Sequence, residues 1–353
     1  APKLLWSFSS SNLGLTTSVP AVVRVNPAAD PKASNTNAKW YMVVGSGPTG
    51  YDASVVQSAK VFVVDLATGP GSGNSLVTSY SVGSWNSYIG DITAFDRDLD
   101  YRHDVVYFGR VIHDGALPWR GKIYRLTMGA GGATAKFGTV TSPTQWGIAS
   151  GSARVPTEML DTFVSGAEMG PVATAPSVTM DDAANVWVFA GSGRYYSGTD
   201  KTDVSTQYFV GLKDSVLNAG CNQSAGALNC MDNDLVDVSN ATVCVVGVGD
   251  CGQASGTNQV SGVTGATTFT GLIGLVQSKD GWVTKLVEPG SSGPPVILPA
   301  AIGERVVSSP TVFGGVVFFP TFIPTNDICT SSGTSRLWAL FYKTGSAYQE
   351  PII

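Results

Sequence analysis

"WYMVVGSGPTG" (residues 40–50), followed by "AKVFVVDLATG" (residues 59–69), decides the fold class. The pair reads as an apolar alternating strand, a glycine-rich break, a second apolar strand and a glycine turn. The same grammar returns along the chain. "DVVYFGRV" (104–111) leads to "GKIYRLTMG" (121–129), "NVWVFAGSGRYY" (185–196) to "TQYFVGLKD" (206–214), and "GVVFFPTF" (315–322) to "SRLWALFYKTG" (335–345). Weaker pairs are "LLWSFSS" with "PAVVRV" near the start, and "TGLIGLV" with "GWVTKLV" after residue 270. Strand pairs recurring along a chain predict the blades of a β-propeller, in which each sheet buries its faces against its neighbours. At about 40–50 residues per blade, a chain of this length holds about seven.

Composition supports an all-β chain. Only 13% of the 353 residues are charged, Gly numbers 42, and no long Ala/Glu/Lys/Leu run of helical character occurs. A formal net charge of −5 without a basic stripe argues against nucleic acid and against anionic membrane surfaces as partners. No stretch approaches the apolar length of a membrane-spanning helix, and "APKLLWSFSS" lacks the basic-then-apolar order of a signal peptide. A mature product or an excised fragment is expected. Residues 1–353 are expected to form one domain.

Residues 215–268 break the strand grammar and hold four of the five cysteines, Cys221, Cys230, Cys244 and Cys251; Cys329 is the fifth. This reads as an insertion within one blade, pinned by disulfides because it buries little core alone. Zinc sites show tighter CxxC pairs with histidine support, and His103 and His113 lie far away in sequence. Local disulfides are favoured over free thiols or a metal, with Cys221 paired to Cys230 and Cys244 to Cys251 because short loops close most readily. Cys329 is then the spare. Disulfides imply an oxidising compartment, the periplasm or the cell surface. The stretch 286–307 is a Pro/Gly connector.

"DRDLDYRHD" (residues 96–104) sets carboxylates at positions 1, 3, 5 and 9 of one turn. Like charges so crowded are unfavourable unless a cation sits among them, and calcium takes six to eight oxygens from alternate positions of a tight loop. Asp96, Asp98 and Asp100 occupy positions 1, 3 and 5; position 7 offers the backbone carbonyl of Arg102, and Asp104 stands at position 9. An EF-hand would add Gly at position 6 and Glu at position 12, but Tyr101 and Tyr107 stand there, and a strand rather than a helix follows. The competing reading is a solvated acidic turn. "MDNDLVD" (231–237) offers Asp232, Asp234 and Asp237, and ordinary turn chemistry accounts for it.

No catalytic constellation emerges. The chain has no HExxH, GxSxG or CxxCH, and "GSGPTG" and "GSGRYY" follow strands without a helix after them, so they read as turns. Both histidines are expected as polar surface residues, and the chain is read as a non-enzyme.

The repeats and the aspartate loop together resemble the C-terminal β-propeller domain of the PilY/PilC proteins, the type IV pilus tip-associated adhesins. Residues 42–69, 96–126, 186–200 and 281–345 carry the resemblance, in the family's order. It implies a secreted, cell-surface protein that supports pilus biogenesis, opposes retraction and contributes to adhesion and twitching motility. Its partners would be pilin or minor pilins and a host or surface receptor. The family's DxDxDxxxD calcium loop carries over to Asp96, Asp98, Asp100, the Arg102 carbonyl and Asp104. Where the family has Gly at position 6 this chain has Tyr101, a poor fit if the turn needs a left-handed backbone. The adhesive N-terminal portion of full-length members is not expected in this chain, and RGD does not occur in it. The alternative is a quinoprotein-type propeller dehydrogenase, whose calcium ligands are dispersed in a central funnel instead of standing in one loop.

Overall fold

The computed structural model describes residues 3–113, 115, 119–129, 137–150, 152–160, 162–163, 167–214, 234–244, 259–287, 303–325 and 333–348. Strand accounts for 45% of the structure, with a single α-helix among the described residues. The all-β expectation holds.

β1 (Ala21–Val25), β2 (Lys39–Gly45), β3 (Ser58–Asp65) and β4 (Val77–Phe95) follow one another as antiparallel neighbours. β4 is 19 residues long and serves two sheets. Its first part, to Asn86, pairs with β3, and its second part, from Ser87, pairs with β5 (Val105–Ile112). β6 (Arg120–Thr127) continues from β5. A hairpin of β7 (Ile148–Ser150) and β8 (Ala153–Val155) intervenes before β9 (Thr157–Leu160) pairs with β6. The small hairpin of β10 (Thr162–Phe163) and β11 (Ala167–Glu168) leads to the next sheet.

That sheet begins with β12 (Ser177–Met180), β13 (Val186–Gly191) and β14 (Gln207–Lys213). β15 (Leu235–Asp237), the hairpin of β16 (Thr242–Cys244) and β17 (Gln259–Ser261), and α1 (Phe269–Gln277) come before β18 (Gly281–Leu286). β18 pairs antiparallel with β14, and β15 adds parallel to β18. The last sheet places β19 (Arg305–Val306) and β20 (Thr311–Phe313) along one side of β21 (Val316–Pro324), and β22 (Gly333–Phe341) along the other. No sheet closes on itself among the described residues.

Alternation explains why the strands read as continuous apolar runs. On β5, Val106 and Phe108 face a core shared with β1 to β4, while Val105 and Tyr107 face the core shared with β13 and β14. On β13, Val186, Val188 and Ala190 join that second core, while Trp187 and Phe189 turn to a third core with β18, β21 and α1. Successive side chains point to opposite faces of a strand, so a strand covered on both faces must be apolar at every position. β5 and β6 are thus packed between β1 to β4 and the β13–β14 sheet, and that sheet between them and the sheet of β21.

Residues 215–268 fall between β14 and β18 in sequence, two strands that pair as neighbours. The described parts of this insertion do more than decorate the surface. Val236, Val238 and Val260 are buried in the third core. Cys244 is the one cysteine among the described residues and is not free. The pairings of Cys221 with Cys230 and of Cys244 with Cys251, and the state of Cys329, lie outside the described residues.

Two strand expectations are corrected. "TGLIGLV" forms α1, because Phe269, Leu272 and Val276 recur with helical spacing on one buried face. A short apolar run does not distinguish a strand from a buried helix by hydrophobicity alone. The N-terminus of α1 is capped by Thr268, whose Oγ1 accepts from Gly271 N at 3.0 Å. Thr268→Ala is expected to cost about 1 kcal/mol of stability, read as a lower urea midpoint with unchanged slope. "LLWSFSS" forms no strand either. Trp6 donates its Nε1–H to the Leu66 carbonyl at 3.3 Å, and Phe8 packs edge-on against Phe62 at 5.2 Å, so this segment is held by side chains instead of a ladder.

Candidate metal centre

The aspartate turn joins β4 to β5, at a point fixed from three sides. Asp104 N donates to the Phe95 carbonyl at 2.9 Å, and Met128 N donates to the Asp104 carbonyl at 2.8 Å, tying the turn to the ends of β4 and β6. β1 supplies the third anchor. His103 N donates to the Arg24 carbonyl at 2.9 Å, and Arg24 N donates to His103 Nδ1 at 3.0 Å. Nδ1 is therefore an acceptor, and burial lowers the His103 pKa, which favours the neutral ring. His103 is thus a structural staple, and His113 stacks on Trp119 at 4.1 Å, so the surface role expected of both histidines is replaced by packing.

Within the turn, one carboxylate oxygen from each of Asp96, Asp98 and Asp104 lies within 4.8 Å of the others. Asp96 accepts from Asp100 N at 3.2 Å and from Tyr101 N at 2.8 Å, which curls the chain around it. Asp104 is buried, 6% exposed, and its Oδ2 accepts from Arg97 N at 2.7 Å. Burial, reinforced by the charges of Asp98, Asp96 and Asp100, pushes its carboxyl up to about 7 against the Arg97 hydrogen bond. Asp98 is also raised, by partial loss of solvent and then by Asp100 and Asp96. Three carboxylates turned on one point, with the innermost desolvated, form a set of hard oxygen donors that a divalent cation would stabilise.

The other two expected ligands stand differently. Asp100 receives Arg102 Nε on Oδ2 at 2.7 Å and Arg102 N on Oδ1 at 2.9 Å, and the guanidinium Nη2 pairs with the same Oδ2. The Arg102 guanidinium also reaches the Asn26 and Ala28 carbonyls at 3.3 Å each. Among the described residues the Arg102 carbonyl accepts no hydrogen bond. Asp232 lies outside the described residues, while Asp234 pairs with Lys279 and Asp237 with Lys285 at 3.5 Å, so that second cluster is structural.

Tyr101 does adopt the left-handed conformation, with φ of 69°, and Leu99 has φ of 54°. A residue with a Cβ pays roughly 1–2 kcal/mol there, against roughly 0.5–1 kcal/mol of extra chain entropy for glycine. Tyr101→Gly is therefore expected to raise stability by about 0.5–1 kcal/mol, measured by thermal unfolding without added metal.

Arg24 and the Arg102 side chain went unnoticed in the sequence. Arg24 lies 79 residues from His103, and a lone arginine in a strand carries no signal of such pairing.

Fold and site together define a class: an all-β domain of successive packed sheets with an acidic turn between two core strands. No protein-family model matches the chain. In sequence it is 24% identical over 360 aligned positions to a type IV pilus biogenesis factor PilY1 homolog of Xylella fastidiosa, covering 98% of this chain and 20% of that protein. In fold it matches the crystal structure of the Pseudomonas aeruginosa PilY1 C-terminal domain, with a TM-score of 0.59 and 17% identity over 95% of this chain and 60% of that one. The chain is thus similar in fold to a PilY1 C-terminal domain, and it spans a fifth of the length of the curated relative.

Proposed function

We propose that this chain is a calcium-binding module of a type IV pilus-associated protein at the cell surface. It supports pilus biogenesis by opposing retraction, contributes to adhesion and twitching motility, and acts by binding instead of catalysis. The observation that carries the reading is the convergence of Asp96, Asp98 and Asp104 within 4.8 Å, in the turn where the resemblance places a calcium loop. The similarity to a protein named as a pilus biogenesis factor supports the pilus association. Pilin or minor pilins and a surface receptor are the proposed partners. No helix among the described residues is long and apolar enough to cross a membrane.

Asp96, Asp98 and Asp104 would hold the ion, with the Arg102 carbonyl beside them and Asp100 joining from its pair with Arg102. Calcium supplies positive charge to carboxylates that otherwise repel one another. The chain's own residues do the positioning: Asp96 curls the turn, Arg97 N holds Asp104, and the Arg24–His103 staple keeps the turn against β1. We read the successive sheets as blades of one modified propeller domain of about seven blades, more than the described strands supply. The insertion would be pinned by the two local disulfides, which peptide mapping without reduction tests.

Calorimetric titration of the chain with calcium tests the central claim. One ion should bind per chain, and Asp98→Ala should remove most of the heat. A wild-type chain that gives no calcium signal, or an Asp98→Ala chain that titrates like wild type, overturns it.

A further inference from the structure

A cleft of about 490 Å³ lies beside the aspartate turn, lined by Arg24, Pro31, Lys32, Asn35, Trp40, Asp96, Tyr101 and His103. Its volume falls within the roughly 300–1,000 Å³ typical of small-ligand pockets. The cleft is built on a buried cation. Arg24 is 6% exposed, and its guanidinium donates to the Tyr101 carbonyl, to the Pro31 carbonyl at 3.1 Å and to Asn35 Oδ1 at 2.8 Å. One side chain thereby fixes the aspartate turn on one wall and residues 30–35 on the other.

Two large aromatic side chains stand open to solvent around it, Trp40 at 49% and Tyr101 at 65% exposure. Exposed aromatic rings at a concave site are the usual sign of a binding surface with one apolar face and one wet one. Lys32, Asn35 and Asp96 also line the cleft. Asn35 offers its Oδ1 to Arg24, which leaves its amide N–H groups as donors. Asp96 accepts one backbone N–H on each oxygen and keeps further lone pairs. The lining carries both signs of charge, Arg24 and Lys32 against Asp96, so a ligand of either charge would meet a like charge.

We propose that this cleft binds a neutral saccharide. A pyranose has an apolar face of C–H groups that stacks on an aromatic ring, and hydroxyls at its rim that both donate and accept. Trp40 supplies the open ring, whereas the Lys32 ammonium stands 5.5 Å over the Tyr101 ring; Asn35, Lys32 and Asp96 supply partners of both kinds. A proline-rich peptide would also use the aromatic faces, but it offers carbonyls and few donors, and so leaves Asp96 unmatched. The cleft shares Asp96 with the proposed metal turn, while Trp40, Asn35 and Lys32 belong to the cleft alone.

The test is saturation-transfer NMR on the full chain with the methyl glycosides of glucose, galactose, mannose and N-acetylglucosamine, and with a neutral proline-rich peptide as a competing probe. At least one glycoside should receive saturation with millimolar affinity. Trp40→Ala should weaken it by about tenfold or more, a loss that burial of one aromatic contact readily supplies. The proposal is overturned if no glycoside binds at tens of millimolar, if Trp40→Ala binds as well as wild type, or if the peptide alone occupies the cleft. Calcium calorimetry on the same samples separates the two readings. Calcium binding without glycoside refutes only the cleft, glycoside binding without calcium refutes only the metal site, and Trp40→Ala should titrate calcium like wild type, showing that it is folded.

Discussion

Replacing Asp104 by alanine is expected to weaken calcium binding by on the order of 100-fold or more, since even residues that merely support a metal ligand cost 10–100-fold when removed. Asp104 is the innermost carboxylate of the turn, 6% exposed and pushed up to about 7 by burial and by its three acidic neighbours. A group so destabilised as an anion gains most from a cation beside it. The metal-free variant should therefore remain folded. At a calcium concentration about 100 times the wild-type dissociation constant, binding stabilises wild type by about 2.7 kcal/mol, and a variant 100-fold weaker keeps only about 0.4 kcal/mol. The calcium-dependent rise in melting temperature should nearly vanish while the metal-free melting temperature holds. Asp104→Lys has the opposite logic. Its ammonium would stand near Asp96 and Asp98 and supply the charge without the ion, so the variant should resist removal of calcium by chelation. In cells, Asp104→Ala should leave few surface pili when the retraction motor is present and restore them when the motor is deleted, whereas Asp104→Lys should keep them in both. Wild-type calcium affinity and piliation in both variants would reduce the turn to a solvated loop, and the proposed opposition to retraction would go with it.

The sheets were legible because the packing they serve leaves a mark at every position. A strand buried on both faces, such as β5 or β13, can spare no polar residue in its centre, and "VVYFG" and "VWVFAG" announce that directly. What escaped was whatever depends on distance along the chain or on local competition. α1 was missed because seven apolar and glycine residues fit either period, and Thr268 is the only local cue to the helix. The double duty of β4 is invisible because a strand's sequence does not say where one partner yields to the next. Four aspartates at alternate positions showed the acidic turn plainly, and the left-handed Tyr101 was foreseeable from glycine's usual place there. The Arg102 guanidinium was not foreseeable: position 7 of such a loop offers its backbone carbonyl, yet the side chain is long enough to reach back and pair with Asp100. The described geometry thus ranks the carboxylates in a way spacing does not, with Asp96, Asp98 and Asp104 together and Asp100 held aside.

Asp214→Ala is expected to be the most damaging single change to the fold, at about 3–5 kcal/mol, because it strands a buried charge. Asp214 Oδ1 accepts Arg125 Nη1 at 2.6 Å, and both side chains are fully buried. Asp214 Oδ2 accepts the Tyr107 hydroxyl at 2.7 Å. Burial first, and Asp214 second, drive the Tyr107 pKa well above its ordinary value, so the phenol remains a neutral donor. The three groups lie where the core of β5 and β6 meets that of β13 and β14, and Asp214 N is itself bound to the Val186 carbonyl at 2.8 Å. A surface ion pair would be worth at most about 1 kcal/mol. Here the Arg125 guanidinium would lose its carboxylate in a place water does not reach, and the cost is that of the unpaired charge. Domains are stable by only about 5–15 kcal/mol, so the urea midpoint of the variant should fall by about a fifth or more. Replacing both partners, Arg125→Met with Asp214→Leu, should recover most of the loss, because apolar side chains of similar volume leave no charge to compensate. A loss below about 1 kcal/mol in Asp214→Ala would mean that solvent reaches the pair and that the two cores are not sealed. The consequence extends to the metal turn. Tyr107 lies three residues beyond Asp104 on the same strand, so the pair that anchors Tyr107 also fixes the start of β5. The folded fraction of Asp214→Ala should then bind calcium more weakly than wild type, whereas the double apolar variant, which lacks the anchor but keeps the packing, separates the anchor's part from that of the packing.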